Sequence, residues 1–363
     1  MNETLVGALL ITFSFVIPMS MAMPGPDVPP GWSYNPSTWI QRAPIILLGL
    51  IGFFLARPMA GYQLGYIDWV WEPFFSGTRG NGTETILRSE VSQAWPLSDA
   101  GLGAATYLIE ILSTFMGDTK RWRTMPWMVA IFGFAVIPLG VTSIVLVIMQ
   151  PVAVGTWCTL CLITAAAMLL MVPLALDEVI AMIQFLNHSR KQGKSVWRTF
   201  WRGGTLPDAS ETPREDRKPR WTLSPMLWGV TSTWNLLLSI AVGVWLLFVP
   251  DLFGASKPFS DSLHLSGALV VTLAAIALAE AGRSARFLNV LIGAWLVVGS
   301  WFLSTESQTA LWNAVIAGVA LILLSLPLGK IRDRYGSFDP WVVWGSRYFR
   351  TKMPPSRQKM AHR

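Results

Sequence analysis

The sequence contains nine apolar runs, each close to the length needed to cross a lipid bilayer. A membrane-spanning helix needs about 17 to 25 predominantly apolar residues. The runs lie at roughly 5–22, 43–62, 102–116, 125–149, 157–176, 227–249, 265–281, 287–303 and 311–326. Apolar residues make up 52% of the chain and charged residues only 13%, a balance typical of membrane proteins. We therefore predict an all-α, polytopic membrane protein.

The positions of the basic residues predict the orientation of the chain. Short loops rich in Lys and Arg stay on the cytoplasmic side of a membrane during insertion. With an outer amino terminus, 24 of the 28 basic residues fall in cytoplasmic segments, the exceptions being Arg57, Arg79, Arg88 and Lys257. This placement accounts for the net charge of +7 without a nucleic-acid partner. We expect a multi-pass protein of the cell inner membrane, in contact with its lipid.

A polar, basic stretch divides the spans into two modules. Residues 189–220 carry many of the chain's basic residues and several prolines, which is typical of a solvated linker. We predict an N-terminal span and loop at 1–37, a four-span bundle at 38–188, and a second membrane module of about four short spans at 221–335. The linker at 189–220 and the basic tail at 336–363 are expected in the cytoplasm.

The chain has only two cysteines, Cys158 and Cys161, spaced as a CxxC pair. Pro151 and Gly155 interrupt the preceding span, and the apolar run restarts at Trp157, so the pair falls at the start of a helix. There the free N–H groups of the first turn stabilise a thiolate, and residues i and i+3 share one face. The predicted orientation puts this turn at the outer, periplasmic face, where dithiols can be oxidised. The spacing alone leaves a redox-active or a structural pair open.

Other ionisable residues give weaker signals. A zinc site at the CxxC pair would need two more ligands from the outer side, where only His264 and carboxylates are offered, so we expect no metal. Glu110 falls inside a predicted span, where an ionisable side chain is costly and a candidate for function. It is either part of a proton path or a carboxyl group without a role in the chemistry, which is neutral and hydrogen-bonded or lies near a helix end.

Two segments of the front module resemble the vitamin K epoxide reductase family. Residues 157–164 (WCTLCLIT) resemble the active-site helix of that family, and residues 89–103 (SEVSQAWPLSDAGLG) resemble the entry into its second bundle helix. The order of spans and loops agrees over about residues 39–188. The resemblance implies a four-helix bundle around a membrane quinone of the ubiquinone or menaquinone type. A catalytic disulfide would take electrons from thiols outside and pass them to the quinone.

The resemblance also implies roles for individual residues. Cys161 would face the quinone, and Cys158 would exchange with an external thiol of a thioredoxin-like protein or a small molecule. The residues expected to bind the quinone are Ser92, Thr164 and Trp157.

One departure from the family leaves two functions open. Many members carry two shuttle cysteines in the long outer loop, whereas residues 63–95 contain none here, and Arg88 lies about where one is expected. The chain is therefore either a thiol-disulfide oxidoreductase without shuttle cysteines or a non-catalytic membrane scaffold. In the scaffold, the CxxC pair would be structural or vestigial.

The rear module contains an internal repeat of Trp, Asn and Gly. Trp234, Asn235 and Trp245 in one part of the module are followed by Asn289 and Trp295 in the next. This pattern resembles the SPW repeat of bacterial membrane proteins, which brings no known chemistry with it. Small residues let helices approach closely in a membrane. We expect a packing and interaction module, to which a membrane partner could bind.

Overall fold

The computed structural model describes residues 26–77, 80–94, 96–206, 223–303 and 305–343. The first apolar run, at 5–22, lies outside the described residues. The chain divides into two compact units, Met1–Trp228 and Gly229–Arg363. Each unit is described by itself.

The front unit consists almost entirely of helices. Two antiparallel strands of two residues each, β1 (Ser76–Gly77) and β2 (Gly80–Asn81), lie in the loop before α2. A π-helical turn, Gln150–Val154, continues α5. The helices are α1 (Trp39–Gln63), α2 (Gly82–Leu87), α3 (Asp99–Phe115), α4 (Arg121–Thr124), α5 (Pro126–Met149), α6 (Thr159–Lys191) and α7 (Val196–Arg202).

Helices α1, α3, α5 and α6 pack together as a four-helix bundle. Its core includes the buried side chains of Met59, Tyr107, Phe132 and Met168. Helices α1 and α3 cross closely at Gly52, where an added Cβ would lie 2.3 Å from the Tyr107 ring. Only glycine leaves room for the ring at this crossing, so the sequence at Gly52 sets how closely α1 and α3 approach.

Buried charged groups close one end of this bundle. We call the end where α6 begins the CxxC end, and the end where α1 and α5 begin the opposite end. At the opposite end, Arg121 pairs with Glu178 of α6, and both side chains are buried. Ser37 donates to the same carboxylate, and the guanidinium of Arg42 donates to the carbonyl of Gly117 at 3.0 Å. Arg42 and Arg121, two of the basic residues that the sequence pattern assigns to cytoplasmic segments, are therefore buried in the protein.

The rear unit contains four main helices in sequence order. Helix α8 begins after Thr233, and its C-cap is Gly254, which has a left-handed backbone conformation. The helices are α8 (Trp234–Phe253), α9 (Phe259–Leu278), α10 (Leu288–Gly299), α11 (Gln308–Ser325) and the short α12 (Asp339–Val342).

Two equivalent glycine crossings reveal the repeat in this unit. An added Cβ on Gly243 of α8 would lie 2.9 Å from the carbonyl oxygen of Gly267 on α9. In the second pair, a Cβ on Gly293 of α10 would lie 2.7 Å from the carbonyl oxygen of Gly318 on α11. Each helix pair therefore packs backbone against backbone, as small residues allow in membrane helices.

Two tryptophans connect the repeats in the same equivalent way. Each lies two residues after the first glycine of its pair. The indole N–H of Trp245 donates to Asn313 of the second repeat at 3.2 Å, and that of Trp295 donates to Ser262 of the first at 2.9 Å. Because each acceptor lies five residues before the second glycine of its pair, the unit has an internal two-fold pattern.

Eight of the nine apolar runs coincide with helices in the described residues. Six described helices are long and apolar enough to cross a membrane: α1, α5 with its π-helical turn, α6, α8, α9 and α11. Helix α3, with 17 residues, and α10, with 12, are shorter. The prediction of an all-α, multi-pass membrane protein is confirmed.

Candidate functional site

The CxxC pair lies where the sequence places it, at the first turn of α6. The structure joins Cys158 and Cys161 in a disulfide, with their Cα atoms 5.3 Å apart. Cys158 is the N-cap residue, and its sulfur accepts a hydrogen bond from the backbone N–H of Cys161 at 3.1 Å. The sulfur therefore takes the place of the side-chain oxygen that usually caps a helix.

Residues that follow α5 fix the backbone conformation just before the CxxC pair. Gly155 has a φ of 76°, which lets the chain reverse after the π-helical turn. The side-chain oxygen of the buried Gln150 accepts a hydrogen bond from the backbone N–H of Cys158 at 2.9 Å. This bond fixes the position of Cys158 relative to α5.

The two cysteines have different surroundings. Cys158 is 0% exposed and belongs to the bundle core, whereas Cys161 is partly buried and packs against this core. The sulfur of Cys161 lies 3.7 Å from the sulfur of Met59 on α1. Cys161 thus borders the inside of the bundle, and Cys158 is covered.

A buried carboxylate of the loop between α1 and α2 fastens this loop to the start of α6. Glu72 accepts five hydrogen bonds, from the hydroxyl and backbone N–H of Thr159, the hydroxyl of Thr83, and the backbone N–H groups of Phe74 and Phe75. The N–H of Thr159 is one of the free donors at the helix start, where a negative charge is favoured. Glu72 therefore both orders the loop and caps α6.

The pKa of the Glu72 carboxyl is held below its ordinary value. Burial alone would raise this pKa, but the hydrogen bonds from Thr159, Thr83 and the loop backbone outweigh burial. Hydrogen bonds to the ionised form stabilise it, so Glu72 is a carboxylate at neutral pH.

Thr83 links this carboxylate to the disulfide. Its hydroxyl oxygen lies 2.6 Å from the nearer carboxylate oxygen of Glu72 and 3.4 Å from the sulfur of Cys158. The residue before it, Gly82, allows the close approach, because an added Cβ there would lie 2.3 Å from the carbonyl oxygen of Trp157. The loop thus lies directly against the chain that carries the CxxC pair.

Ser92, which we expect at the quinone, lies in a polar cluster where α3 begins. Its hydroxyl donates to Asp99 at 2.8 Å and accepts from the side-chain amide of Gln63 at 2.7 Å. The same amide donates to Asp99 at 2.6 Å. These bonds connect the end of α1 with the start of α3.

Thr164 and Trp157 lie on either side of the cysteines in the chain. The hydroxyl of Thr164 donates to the carbonyl of Cys161 at 2.9 Å, and its own carbonyl accepts from the hydroxyl of Tyr107 at 2.8 Å. Trp157 is buried, with its ring 6.5 Å from that of Phe75. All three expected quinone residues belong to the CxxC half of the front unit, and their roles stay predictions.

Glu110 lies in the interior of the bundle. Its side chain is fully buried, and neither carboxyl oxygen has a hydrogen-bond partner among the described residues. Both interpretations of Glu110, the proton path and the neutral carboxyl group, stay predictions. In the described part of the chain, no three His, Cys, Asp or Glu side chains gather as metal ligands would.

Sequence reasoning missed Glu72 and Thr83. Glu72 follows a run of aromatic residues that resembles an interfacial anchor, and its contact with Thr159 spans 87 positions. A buried acidic residue in a loop has no periodic signature. The only local signal is the pair Gly82 and Thr83 at the start of a short helix.

Comparison with known families agrees with both resemblances. Residues 43–176 match the vitamin K epoxide reductase family, and residues 233–327 match the SPW repeat domain. No curated protein and no solved structure matches the chain significantly. The first match covers most of the bundle and both cysteines, and the second contains α8 to α11. The chain therefore joins a vitamin K epoxide reductase family region to an SPW repeat domain.

Proposed function

We propose that this chain is a membrane thiol-disulfide oxidoreductase that passes electrons from external thiols through Cys158 and Cys161 to a membrane quinone. The observation that carries the proposal is the CxxC disulfide at the start of α6, inside the region that matches the vitamin K epoxide reductase family. We propose that this end of the bundle faces the periplasm and that the linker and tail are cytoplasmic.

The chemistry starts with an external thiolate at the disulfide. The thiolate attacks the sulfur of Cys158, the bond to Cys161 breaks, and Cys161 leaves as a thiolate. A second external thiol then displaces Cys158, so that the two thiols become one disulfide and the CxxC pair is reduced. The reduced pair passes two electrons to a quinone and re-forms its disulfide, and the quinone takes up two protons, one of them from water, to become a quinol.

The contacts of Cys161 support its place on the quinone side. Its sulfur touches Met59 and borders the apolar core, which is the kind of surface that takes an apolar ring. Ser92, Thr164 and Trp157 would hold the quinone, although the hydroxyls of Ser92 and Thr164 already donate to Asp99 and to the carbonyl of Cys161. Quinone carbonyls only accept hydrogen bonds, so these hydroxyls would have to change partners to bind the oxidised ring. With their present partners they could accept only from the hydroxyls of the quinol product.

The buried position of Cys158 sets a condition on the thiol partner. A thiolate must reach the sulfur along the direction of the S–S bond, and Cys158 is covered by the loop that contains Glu72 and Thr83. We propose that this loop moves aside for a thioredoxin-like protein or a small thiol.

The same burial favours the second candidate function. A disulfide that no thiol reaches is structural, and the chain would then be a membrane scaffold that keeps the fold of the family. The rear unit, with its glycine crossings, would serve packing or a membrane partner in either case.

A trapping experiment separates the two functions. Thiol-disulfide exchange is reversible, so in Cys161→Ser the remaining Cys158 stays linked to the sulfur of its partner. We expect a mixed disulfide on Cys158 in cells blocked with an alkylating agent, seen by non-reducing gels and mass spectrometry. Cys158→Ser is the matched control and should give none. If Cys161→Ser also gives no adduct with any protein or small thiol, the scaffold takes the place of the enzyme.

A further inference from the structure

We propose that Glu72, acting through the hydroxyl of Thr83, keeps Cys158 protonated in the reduced protein and so directs the thiolate to Cys161. Glu72 and Thr83 would then be positioning residues for the redox pair. The inference deepens the proposed function, because the thiolate would lie on the cysteine that borders the bundle core.

The single proton of the Thr83 hydroxyl decides the direction of the hydrogen bonds. The hydroxyl oxygen lies 2.6 Å from a carboxylate oxygen of Glu72 and 3.4 Å from the sulfur of Cys158. A carboxylate is the stronger acceptor, so the hydroxyl donates to Glu72. Its oxygen lone pairs are then available to the S–H of Cys158 once the disulfide is reduced. A hydrogen bond from the thiol stabilises the protonated form.

The charge of Glu72 acts in the same direction. The two distances through Thr83 place the carboxylate oxygen within about 6 Å of the Cys158 sulfur. Like charges at this separation disfavour the second charge, more strongly where water is excluded. Thr83 and Cys158 are fully buried and Glu72 is 9% exposed, so solvent screens this repulsion poorly.

The start of α6 opposes this effect. The backbone N–H of Cys161 donates to the Cys158 sulfur at 3.1 Å, and the partial positive charge of the helix start would also stabilise a thiolate there. These groups are neutral dipoles, and the N–H of Thr159 already donates to Glu72, whereas the carboxylate carries a full charge and also orients Thr83. We therefore expect the carboxylate to dominate.

Three ionisable groups of the neighbouring helices contact one another. The hydroxyl of Tyr62 donates to Glu84 at 3.2 Å, and the guanidinium of Arg88 lies 5.0 Å above the Tyr62 ring. Glu84 also accepts from the backbone N–H of Val70 and the side chain of Asn81. Glu72 is the group that Thr83 links directly to Cys158.

The protonation pattern fits the balance of the reduction step. Two external thiols form one disulfide and supply two electrons and two protons. The CxxC disulfide breaks and takes up both electrons and one proton, which stays on Cys158, while Cys161 remains a thiolate. The second proton goes to water.

The test measures which cysteine is ionised. The full-length protein in lipid nanodiscs is reduced with a dithiol, freed of reductant, and treated with iodoacetamide over a range of pH. Mass spectrometry then gives the pH midpoint of alkylation for each cysteine. The midpoint reports the thiolate fraction, whereas opening of the loop changes the rate at every pH. In the natural protein we expect the midpoint of Cys161 to lie below that of Cys158.

Four variants isolate the contribution of Glu72 and Thr83. Glu72→Gln should lower the Cys158 midpoint by about one pH unit, a tenfold rise in thiolate fraction, and Thr83→Val should lower it less. Thr83→Ser keeps the hydroxyl and should restore the natural midpoint. Thr159→Val removes one hydrogen bond to Glu72 and leaves Thr83 unchanged. It should raise the alkylation rate of Cys158 but shift its midpoint less than Glu72→Gln does. If Glu72→Gln does not fold, the comparison of Thr83→Val with Thr83→Ser tests the inference.

Two results would overturn the inference. One is a Cys158 midpoint that is unchanged in Glu72→Gln and Thr83→Val, or that shifts equally in Thr159→Val. The other is a natural protein in which Cys158 ionises before Cys161. If the midpoints shift as expected but the protein reduces no quinone, the positioning role stands and the proposed function fails.

Discussion

The two ends of the front bundle are each closed by a buried carboxylate, but with different partners. At the opposite end, Glu178 of α6 pairs with the guanidinium of Arg121 and accepts from Ser37. At the CxxC end, Glu72 accepts from Thr159, Thr83 and loop N–H groups, all of them neutral. One charge is compensated by an opposite charge, and the other is stabilised by dipoles alone.

Because of this difference, we expect the opposite end to stay closed and the CxxC end to open more easily. An ion pair inside the protein resists the loss of either partner, because the remaining charge is left buried and unpaired. A carboxylate held by neutral donors at the edge of the solvent can take up a proton and release its loop. We therefore expect the opposite end to determine stability and the CxxC end to determine access to the disulfide.

The largest effect should come from breaking the ion pair at the opposite end. Arg121→Met leaves Glu178 buried without its cation, which should lower the free energy of unfolding by about 3–5 kcal/mol. Thermal unfolding in detergent measures the loss. Arg190→Met, at an exposed position of α6, is the control and should change little. A loss below about 1 kcal/mol for Arg121→Met would show that the two ends do not differ in this way.

Removing the carboxylate at the CxxC end should change reactivity more than stability. Glu72→Ala leaves five donors without their acceptor, which should cost about 2 kcal/mol in loop closure. The open population would rise about thirtyfold, and reduction of the CxxC disulfide by a dithiol should accelerate in proportion. Glu90→Ala, at an exposed position between α2 and α3, should leave the rate unchanged. Equal rates in both variants would contradict loop control of access.

Acid should release the CxxC end selectively. Hydrogen bonds hold the pKa of Glu72 below its ordinary value. Its contribution to stability is therefore complete above that ordinary value and is lost as the pH falls through the folded pKa. The protection of residues 70–77 against hydrogen exchange, taken relative to the intrinsic rate at each pH, should fall below about pH 4, while residues 34–38 at the opposite end should keep their protection. Loss of this acid response in Glu72→Gln would identify the group, and an unchanged response would exclude Glu72.

The smallest effect should come from a single hydrogen bond at the opposite end. The hydroxyl of Tyr34 donates to Asp177, so Tyr34→Phe should lower the free energy of unfolding by about 1 kcal/mol. Tyr66→Phe, at a side chain 81% exposed, provides the control. A loss as large as that for Arg121→Met would mean that the ion pair is not what closes this end.

Much of the fold could be predicted from the sequence, because apolar runs and helix-start signals are local. The spans, the CxxC position at the start of α6 and both family regions follow from such patterns. The polar contacts at the two ends could not be predicted in this way. The pattern of basic residues assigns Arg121 to a cytoplasmic segment, but such a pattern does not show whether a side chain is buried. Its partner Glu178 lies 57 positions away.

The candidate site was predictable only in part, for a similar reason. The spacing of the two cysteines identifies them as candidate site residues. Glu72 and Thr83 come close to them only in the folded protein. Glu72 contacts Thr159 across 87 positions, and Thr83 contacts Cys158 across 75. Contacts over such separations depend on tertiary packing, which no single stretch of sequence encodes.

The most direct test of the account is quinone reduction by the purified full-length protein in lipid. With a dithiol and a water-soluble ubiquinone analogue supplied, the natural protein should form quinol catalytically, and Cys161→Ser and Cys158→Ser should not. Glu90→Ala should reduce the quinone at the natural rate. If the natural protein forms quinol no faster than Cys161→Ser, the CxxC pair does not carry electrons to a quinone and the central claim is contradicted.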